Sequence, residues 1–358
     1  MSLGKKKILS QGAAGGIVGT DNFNTVIWTN GVNQHQSPIT GVGFQPDLVW
    51  IKMRTAGQNH VLTDSVRGVT KTLFSNTSDD EETVAQGLTA FNADGFNLGN
   101  DDRFNHDQRD AVAWCWSAPT SESISASGSL LASTIKKNVA AGFSIVSYTG
   151  GGGVKTVSHG LSAAPELMII KNRSRAIDGG VYTTAINSPN GSTGHLFSSS
   201  GSERFLASRN DHMNNNTPPT SSVFTVRSYD GSGNDPQNYI GNFTGDTYIA
   251  YLFHSVAGYQ KVGTYTGTGV ANNITETLGF SPRILMVKRT DSGSAWLMMD
   301  AVRNPSSPFN TFLVAQANSA EFVASALAFS YDSTSFTVAN TDGTFNVNGG
   351  TYIYLAIA

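Results

Sequence analysis

One seven-residue block occurs three times along this chain. Pro46-Asp47-Leu48-Val49-Trp50-Ile51-Lys52 recurs as Pro165-Glu166-Leu167-Met168-Ile169-Ile170-Lys171 and again as Pro282-Arg283-Ile284-Leu285-Met286-Val287-Lys288. The repeat lysines are 119 and 117 residues apart, a domain-sized period far above the roughly 40–50 residues of a propeller blade. Each copy closes on an aromatic, β-branched run: Ala111 to Trp116, Tyr248 to Phe253, and Tyr352 to Ala356. Such runs suit strands buried on both faces. With 38 glycines and 11 prolines punctuating short β-branched segments, the pattern predicts an all-β fold of three tandem, related β-sandwich-like domains.

The expected boundaries are an N-terminal arm at 1–22, sandwich repeats at 23–118, 137–257 and 258–358, and a Ser-rich linker at 119–136. One short helix is expected over Ser319 to Phe329. The opening strands Phe143 to Tyr148 and Val262 to Tyr265 each run into a Thr-Gly pair that reads as a hairpin turn. Arm residues Lys5 to Gly19 are basic and nonperiodic, suited to pairing with a neighbouring subunit.

Composition excludes several classes. A net charge of −3 from 23 basic and 26 acidic residues gives no general attraction to phosphate backbones, so nucleic acid is not an expected partner. The longest apolar runs are far short of the roughly 20 residues of a membrane helix, so no membrane insertion is expected. The single cysteine, Cys115, cannot form an internal disulfide.

Chemistry-bearing motifs are sparse. Lys52, Lys171 and Lys288 end apolar strands and read as framework residues, with Lys52 and Lys288 pairing across a hairpin with Asp64 and Asp300. The shared Asp64-Ser65-Val66-Arg67 and Asp300-Ala301-Val302-Arg303 place Arg67 and Arg303 in the same framework, while copy two has Thr183 in place of the aspartate. Gly150 to Thr156 lacks the last glycine of a phosphate loop and reads as a hairpin turn. Asp230 to Asp235 lacks the closing glutamate of a calcium loop. Asp79 to Glu82 and Asp101-Asp102 read as solvated loop charge. The seven histidines have neither metal nor triad spacing, so no cofactor, metal or catalytic residue is expected. Trp28, Trp50, Trp114, Trp116 and Trp296 read as core. Loop residues Asn210, Asn214, Asn216, Asp230, Asn234 and Asp235 are the receptor-binding candidates, from their location in polar loops alone.

The repeat blocks, together with Ala141 to Gly150, Val157-Ser158-His159-Gly160-Leu161, Ile169 to Ser174, Thr217 to Phe224 and Gly349 to Tyr354, carry a further likeness. In their order and extent the chain resembles repeat-containing tail and tail-fibre structural proteins of tailed bacteriophages. The resemblance implies a non-enzymatic virion protein, assembled in the host cytoplasm, that presents loops for host attachment. Its implied partners are other virion proteins through the arm, further copies of itself, with a trimer as one symmetry, and a host cell-surface glycan or protein receptor. A purely structural capsid or virion decoration protein and a receptor-degrading glycan hydrolase are the alternatives.

Overall fold

The computed structural model describes residues 19–33, 35–177, 179–183, 217–228, 241–292 and 294–358, which form an all-β fold. The first unit contains β1 (Phe23–Thr29), β2 (Ile39–Thr40), β3 (Leu48–Met53), β4 (Val61–Asp64), β5 (Lys71–Phe74), β6 (Glu82–Thr83), β7 (Leu88–Asn92), β8 (Gly95–Leu98) and β9 (Asp110–Trp116). The second contains β10 (Thr120–Ile124), β11 (Ser133–Asn138), β12 (Phe143–Thr149), β13 (Val154–Ser158), β14 (Leu167–Asn172), β15 (Gly180–Thr183), β16 (Val223–Arg227) and β17 (Thr247–Phe253). The third contains β18 (Gln260–Thr266), β19 (Thr275–Thr277), β20 (Ile284–Arg289), β21 (Leu297–Asp300), β22 (Thr311–Val314), β23 (Phe322–Val323), β24 (Phe329–Tyr331), β25 (Ser335–Val338) and β26 (Thr351–Ile357).

In each unit the closing strand lies between the opening strand and the repeat strand, as β1-β9-β3, β12-β17-β14 and β18-β26-β20. All these pairings are antiparallel, and the strands belong to six-stranded sheets. A smaller sheet covers the outer face of each: β2-β8-β7, β13-β16 and β19-β25-β24. The Thr-Gly pairs after β12 and β18 are therefore crossovers between two sheets, and the hairpin expectation for Gly150 to Thr156 is corrected. The chain leaves β12, which pairs with β11 and β17, to enter β13, which pairs with β16.

Strand alternation explains why the repeat reads as a continuous apolar run. Leu48 and Trp50 face one way while Val49, Ile51 and Met53 face the other. The outward set packs in the first unit's own sandwich core. The inward set joins Leu167, Ile169, Ile284 and Met286, with the closing-strand residues Trp114, Tyr251 and Leu355, in one core shared by all three units. The three units are sandwich-like, but they do not stand as separate beads in tandem. Each supplies one face of its large sheet to a common centre.

Two other expectations are corrected. Residues 119–136 are not a linker, because β10 and β11 pair with each other and extend the second large sheet beyond β12. Their serines and threonines sit on strands with one face half-exposed, where polar side chains are tolerated. Ser319 to Phe329 is not a helix: β23 and the start of β24 flank a single 3-10 turn, Ser325–Leu327. Pairing of Phe322 with Phe312 in β22 overrides the helical propensity of the alanines.

Candidate functional site: the unit interfaces and a threonine-lined groove

The sequence-expected framework residues come together where units meet. Asp64 ends β4 with a fully buried carboxylate. Its Oδ1 accepts from the backbone N–H groups of Val66 (3.1 Å) and Arg67 (2.9 Å), and its Oδ2 accepts from Arg67 Nε (2.5 Å). A fourth bond comes from the second unit, whose Tyr251 hydroxyl on β17 donates to the same Oδ2 (2.8 Å). Arg67 spends its remaining N–H groups on Leu62 C=O (2.8 Å), Tyr251 Oη (3.2 Å) and Glu81 (3.4 Å). Glu81 in turn takes two bonds from Arg173 of the second unit, at 2.8 and 2.9 Å.

The arrangement recurs between the third unit and the first. Asp300 accepts from Val302 N–H, Arg303 N–H and Arg303 Nε, then from the indole N–H of Trp114 (3.1 Å). Arg303 bonds Glu321 (3.0 Å), and Glu321 takes two bonds from Arg54 of the first unit, at 3.0 and 2.8 Å. Register against the repeat strand makes Trp114, Tyr251 and Leu355 equivalent, and Asp64, Thr183 and Asp300 likewise. At the remaining interface, second unit to third, the donor position is Leu355 and the acceptor position Thr183. Both ends of the ionic contact are replaced together.

Burial opposes ionisation of Glu81 and Glu321, yet the arginine bonds and charges outweigh it and hold both carboxyls below their usual range. A buried ion pair is tolerable only when its lone pairs and protons are otherwise satisfied, and here Asp64 and Asp300 each accept four bonds. The expectation that Glu81 is solvated loop charge is thus corrected.

The lysines behave differently from the hairpin pairing expected of them. Lys52 shares the inward parity of Leu48 and Trp50, so its stem continues the central row. Its ammonium donates to the carbonyls of Met53 (2.6 Å) and Ala56 (3.0 Å) rather than to Asp64. Lys288 donates to Arg289 C=O (2.9 Å) and Ser294 C=O (2.8 Å), and Lys171 to Thr77 C=O in the first unit (2.9 Å). Burial pushes the Lys52 amine down to about 8 and that of Lys288 to about 7.

A triplicate asparagine escaped the sequence reading. Asn105, Asn242 and Asn346 are wholly buried, each five residues before its closing strand begins. The Asn105 amide donates to Gln36 and Gly99 carbonyls, that of Asn242 to Gly152 and Gly153, and that of Asn346 to Val270 and Asn340. Each one pins the chain that leaves the opening strand. The fixed offset of five was the available signal.

Asp101 is the N-cap of the helical turn Asp102–Asn105, and it also accepts from the Arg103 guanidinium, which pairs with Glu82 as well. Among the described residues no group of three or more His, Cys, Asp or Glu side chains converges as metal ligands would. The six receptor-loop candidates, Asn210, Asn214, Asn216, Asp230, Asn234 and Asp235, lie outside the described residues.

One groove stands out on the third unit, with a volume of about 550 Å³ between β18 and β19. Its walls carry the hydroxyls of Thr264, Thr266, Thr268, Thr275, Thr290 and Thr351, with Asn273 and Glu276. Glu276 Oε2 accepts from the Tyr354 hydroxyl (2.8 Å) and lies 3.8 Å from the Lys261 ammonium. Several of these hydroxyls are already paired, Thr290 with Thr351 (2.6 Å) and Thr275 with Thr337 (2.9 Å), and among the described lining residues Glu276 is the one carboxylate.

Fold and interfaces together define an all-β repeat protein whose three units close on a common core. Residues 18–358 match the family described as a domain of unknown function (DUF7483), and the chain belongs to that family. No curated protein matches the sequence.

Proposed function

We propose that this chain is a structural protein of the bacteriophage virion, a tail fibre or tail-associated adhesin that presents loops for attachment to a host receptor. The observation that carries the reading is where the repeat-borne charges go. Asp64, Arg67, Asp300 and Arg303 are consumed in joining units, and Lys52, Lys171 and Lys288 in holding backbone carbonyls. A frame built in this way is rigid and offers its connecting loops as the variable part, an arrangement that suits recognition. The likeness of the repeat blocks to phage tail and fibre proteins supports the same reading. Copies of the chain associate on the particle, and the receptor is a cell-surface glycan or protein.

Binding of fluorescently labelled full-length protein to susceptible cells, compared with receptor-lacking resistant mutants, tests this. Selective binding to susceptible cells is expected. Equal binding to both, or none by a folded preparation, overturns the adhesin reading and leaves the virion-decoration role.

A further inference from the structure

The third copy of the repeat differs from the other two at three positions that meet beside the groove. Trp28, Tyr148 and Tyr265 are equivalent on their opening strands, facing Ala111, Tyr248 and Tyr352. Each meets a phenylalanine of its own small sheet edge-on: Phe96 at 6.2 Å, Phe224 at 6.1 Å and Phe336 at 6.3 Å. Pairing with those phenylalanines makes Ile39, Val157 and Glu276 equivalent. Further along the opening strands, Val26 faces Ala113 and Val146 faces Ala250, whereas Gly263 faces Tyr354. Large and small have changed places, and a Cβ on Gly263 would collide with the Tyr354 phenol. The ring lies edge-on to Phe336 (4.9 Å, 85°), and its hydroxyl donates to Glu276 Oε2 (2.8 Å). A carboxylate drawn partly out of water is costly unless it is bonded, and the exchange supplies that bond. The other two copies build the same corner from apolar side chains, so packing does not require Glu276.

We propose that the groove beside Glu276 binds a neutral saccharide. The inference deepens the adhesin reading and rests on it only for the ligand's source, a cell-surface glycan. A volume of about 550 Å³ lies within the roughly 300–1,000 Å³ of ligand sites. Apart from Tyr265 and Ile274, the lining is polar. Thr290 and Thr351 pair with each other and Thr275 with Thr337. Among the described residues, the exposed side chains of Thr264, Thr266 and Asn273 and the Oε1 of Glu276 have no partner. The main chain adds to these groups. Gln260 N–H donates to Val256 C=O (2.9 Å) and Val262 N–H to Ser255 Oγ (3.1 Å), so these alternate residues of β18 turn their polar groups away from β26. Ser255 and Val256 occupy that edge at Gln260 and Val262, and Thr264 and Thr266 keep theirs open to the groove.

Charge and length select the ligand. The Lys261 ammonium, held by Thr277 C=O (2.7 Å), lies 3.8 Å from Glu276, so the two charges offset each other and leave no net charge to favour an ionic ligand. An edge open only at Thr264 and Thr266 is too short for a peptide strand, whose affinity comes from a ladder of main-chain bonds. Threonine hydroxyls donate and accept, as sugar hydroxyls do, and a carboxylate oxygen accepts. Glu276 Oε1 accepts from one sugar hydroxyl, a charge-assisted bond, while Asn273, Thr264 and Thr266 bond its neighbours. Tyr265 and Ile274 supply the apolar part of the wall for the C–H face of the ring.

Isothermal titration of the full-length protein with neutral oligosaccharides, released from the surface polysaccharide of susceptible cells, tests the inference. Binding is expected, and Glu276→Gln is expected to weaken it about tenfold through loss of the charge-assisted bond. The triple change Gly263→Val, Tyr354→Ala, Glu276→Val copies the second unit's residues into the third, and it is expected to fold and to abolish binding. Thr264→Trp, at an exposed position, fills the groove and removes binding, which keeps the test decisive even if the triple variant fails to fold. No binding of the neutral fraction by folded wild-type protein, or equal affinity in wild type, Glu276→Gln and Thr264→Trp, overturns the inference. Cell binding separates that outcome from failure of the adhesin reading. Selective binding to susceptible cells that persists in the groove variants refutes the groove and keeps the adhesin, whereas oligosaccharide binding without cell binding keeps the groove and refutes the adhesin.

Discussion

Trp114 of the first unit donates its indole N–H to Asp300 of the third across 3.1 Å, while Tyr251 of the second donates its hydroxyl to Asp64 of the first across 2.8 Å. The two donors are equivalent positions on equivalent strands, and so are the two acceptors. The first two closing strands therefore each bond the ion pair of the unit before them in cyclic order, and the third carries Leu355 in the donor's place.

Removing one partner from such a buried set is expected to cost more than removing all of it. Tyr251→Phe strips one bond from the Asp64 carboxylate and lowers stability by about 1–3 kcal/mol. Arg67→Ile leaves that carboxylate buried without its counter-charge and costs about 3–5 kcal/mol. The triple change Asp64→Thr, Arg67→Ile, Tyr251→Leu copies into the first interface the residues that the second copy and Leu355 carry in sequence, and it is expected to be less destabilised than Arg67→Ile alone. Urea unfolding of the variants measures the order.

The depressed amines of Lys52 and Lys288 give the fold a signed pH dependence. Both titrate at about 10.4 when unfolded and at about 8 and about 7 in the fold. Between roughly pH 7 and 10 the unfolded chain therefore binds more protons, and unfolding free energy rises with pH across that window. Below pH 7 both states are protonated and this slope vanishes. Lys288→Met is expected to flatten the rise, as read from denaturant midpoints at several pH values.

Much of this was legible in the sequence. The repeat, the two-faced burial of the closing strands and the Asp–Arg pairs all carry fixed spacings. The shared core was not legible, because alternation shows that two faces are buried but not what the inner face meets. Glu81 and Glu321 escaped as equivalents because one lies 14 residues beyond its arginine and the other 18, so no common offset links them. The lysine bonds were misjudged because carbonyls at a strand end leave no mark in side-chain sequence.

The buried asparagines are expected to be as costly to lose as any apolar core residue of their size. Asn346→Ala strands the carbonyl of Asn340 and takes the side-chain acceptor from Thr268 N–H, while Gly269 N–H keeps the Asn346 C=O (2.9 Å) and Val270 C=O keeps the Thr268 hydroxyl (3.4 Å). A loss of about 1–3 kcal/mol follows for each such group left buried without a partner. Hydrogen exchange is expected to show the loss first at Thr268, ahead of Gly269, which keeps its main-chain acceptor.

Cys115 faces the first unit's sandwich core, and burial raises its thiol above the usual range. Reaction with a thiol reagent is expected only on unfolding, in step with loss of near-ultraviolet circular dichroism. Labelling of the native protein at a rate independent of denaturant would contradict the packing around β9.

Three repeats that fold as one body around a common core unfold together, and differential scanning calorimetry of the full-length protein reads this. A single transition whose calorimetric and van't Hoff enthalpies agree is expected. Two or three separable transitions, each with the enthalpy of one unit, would contradict it.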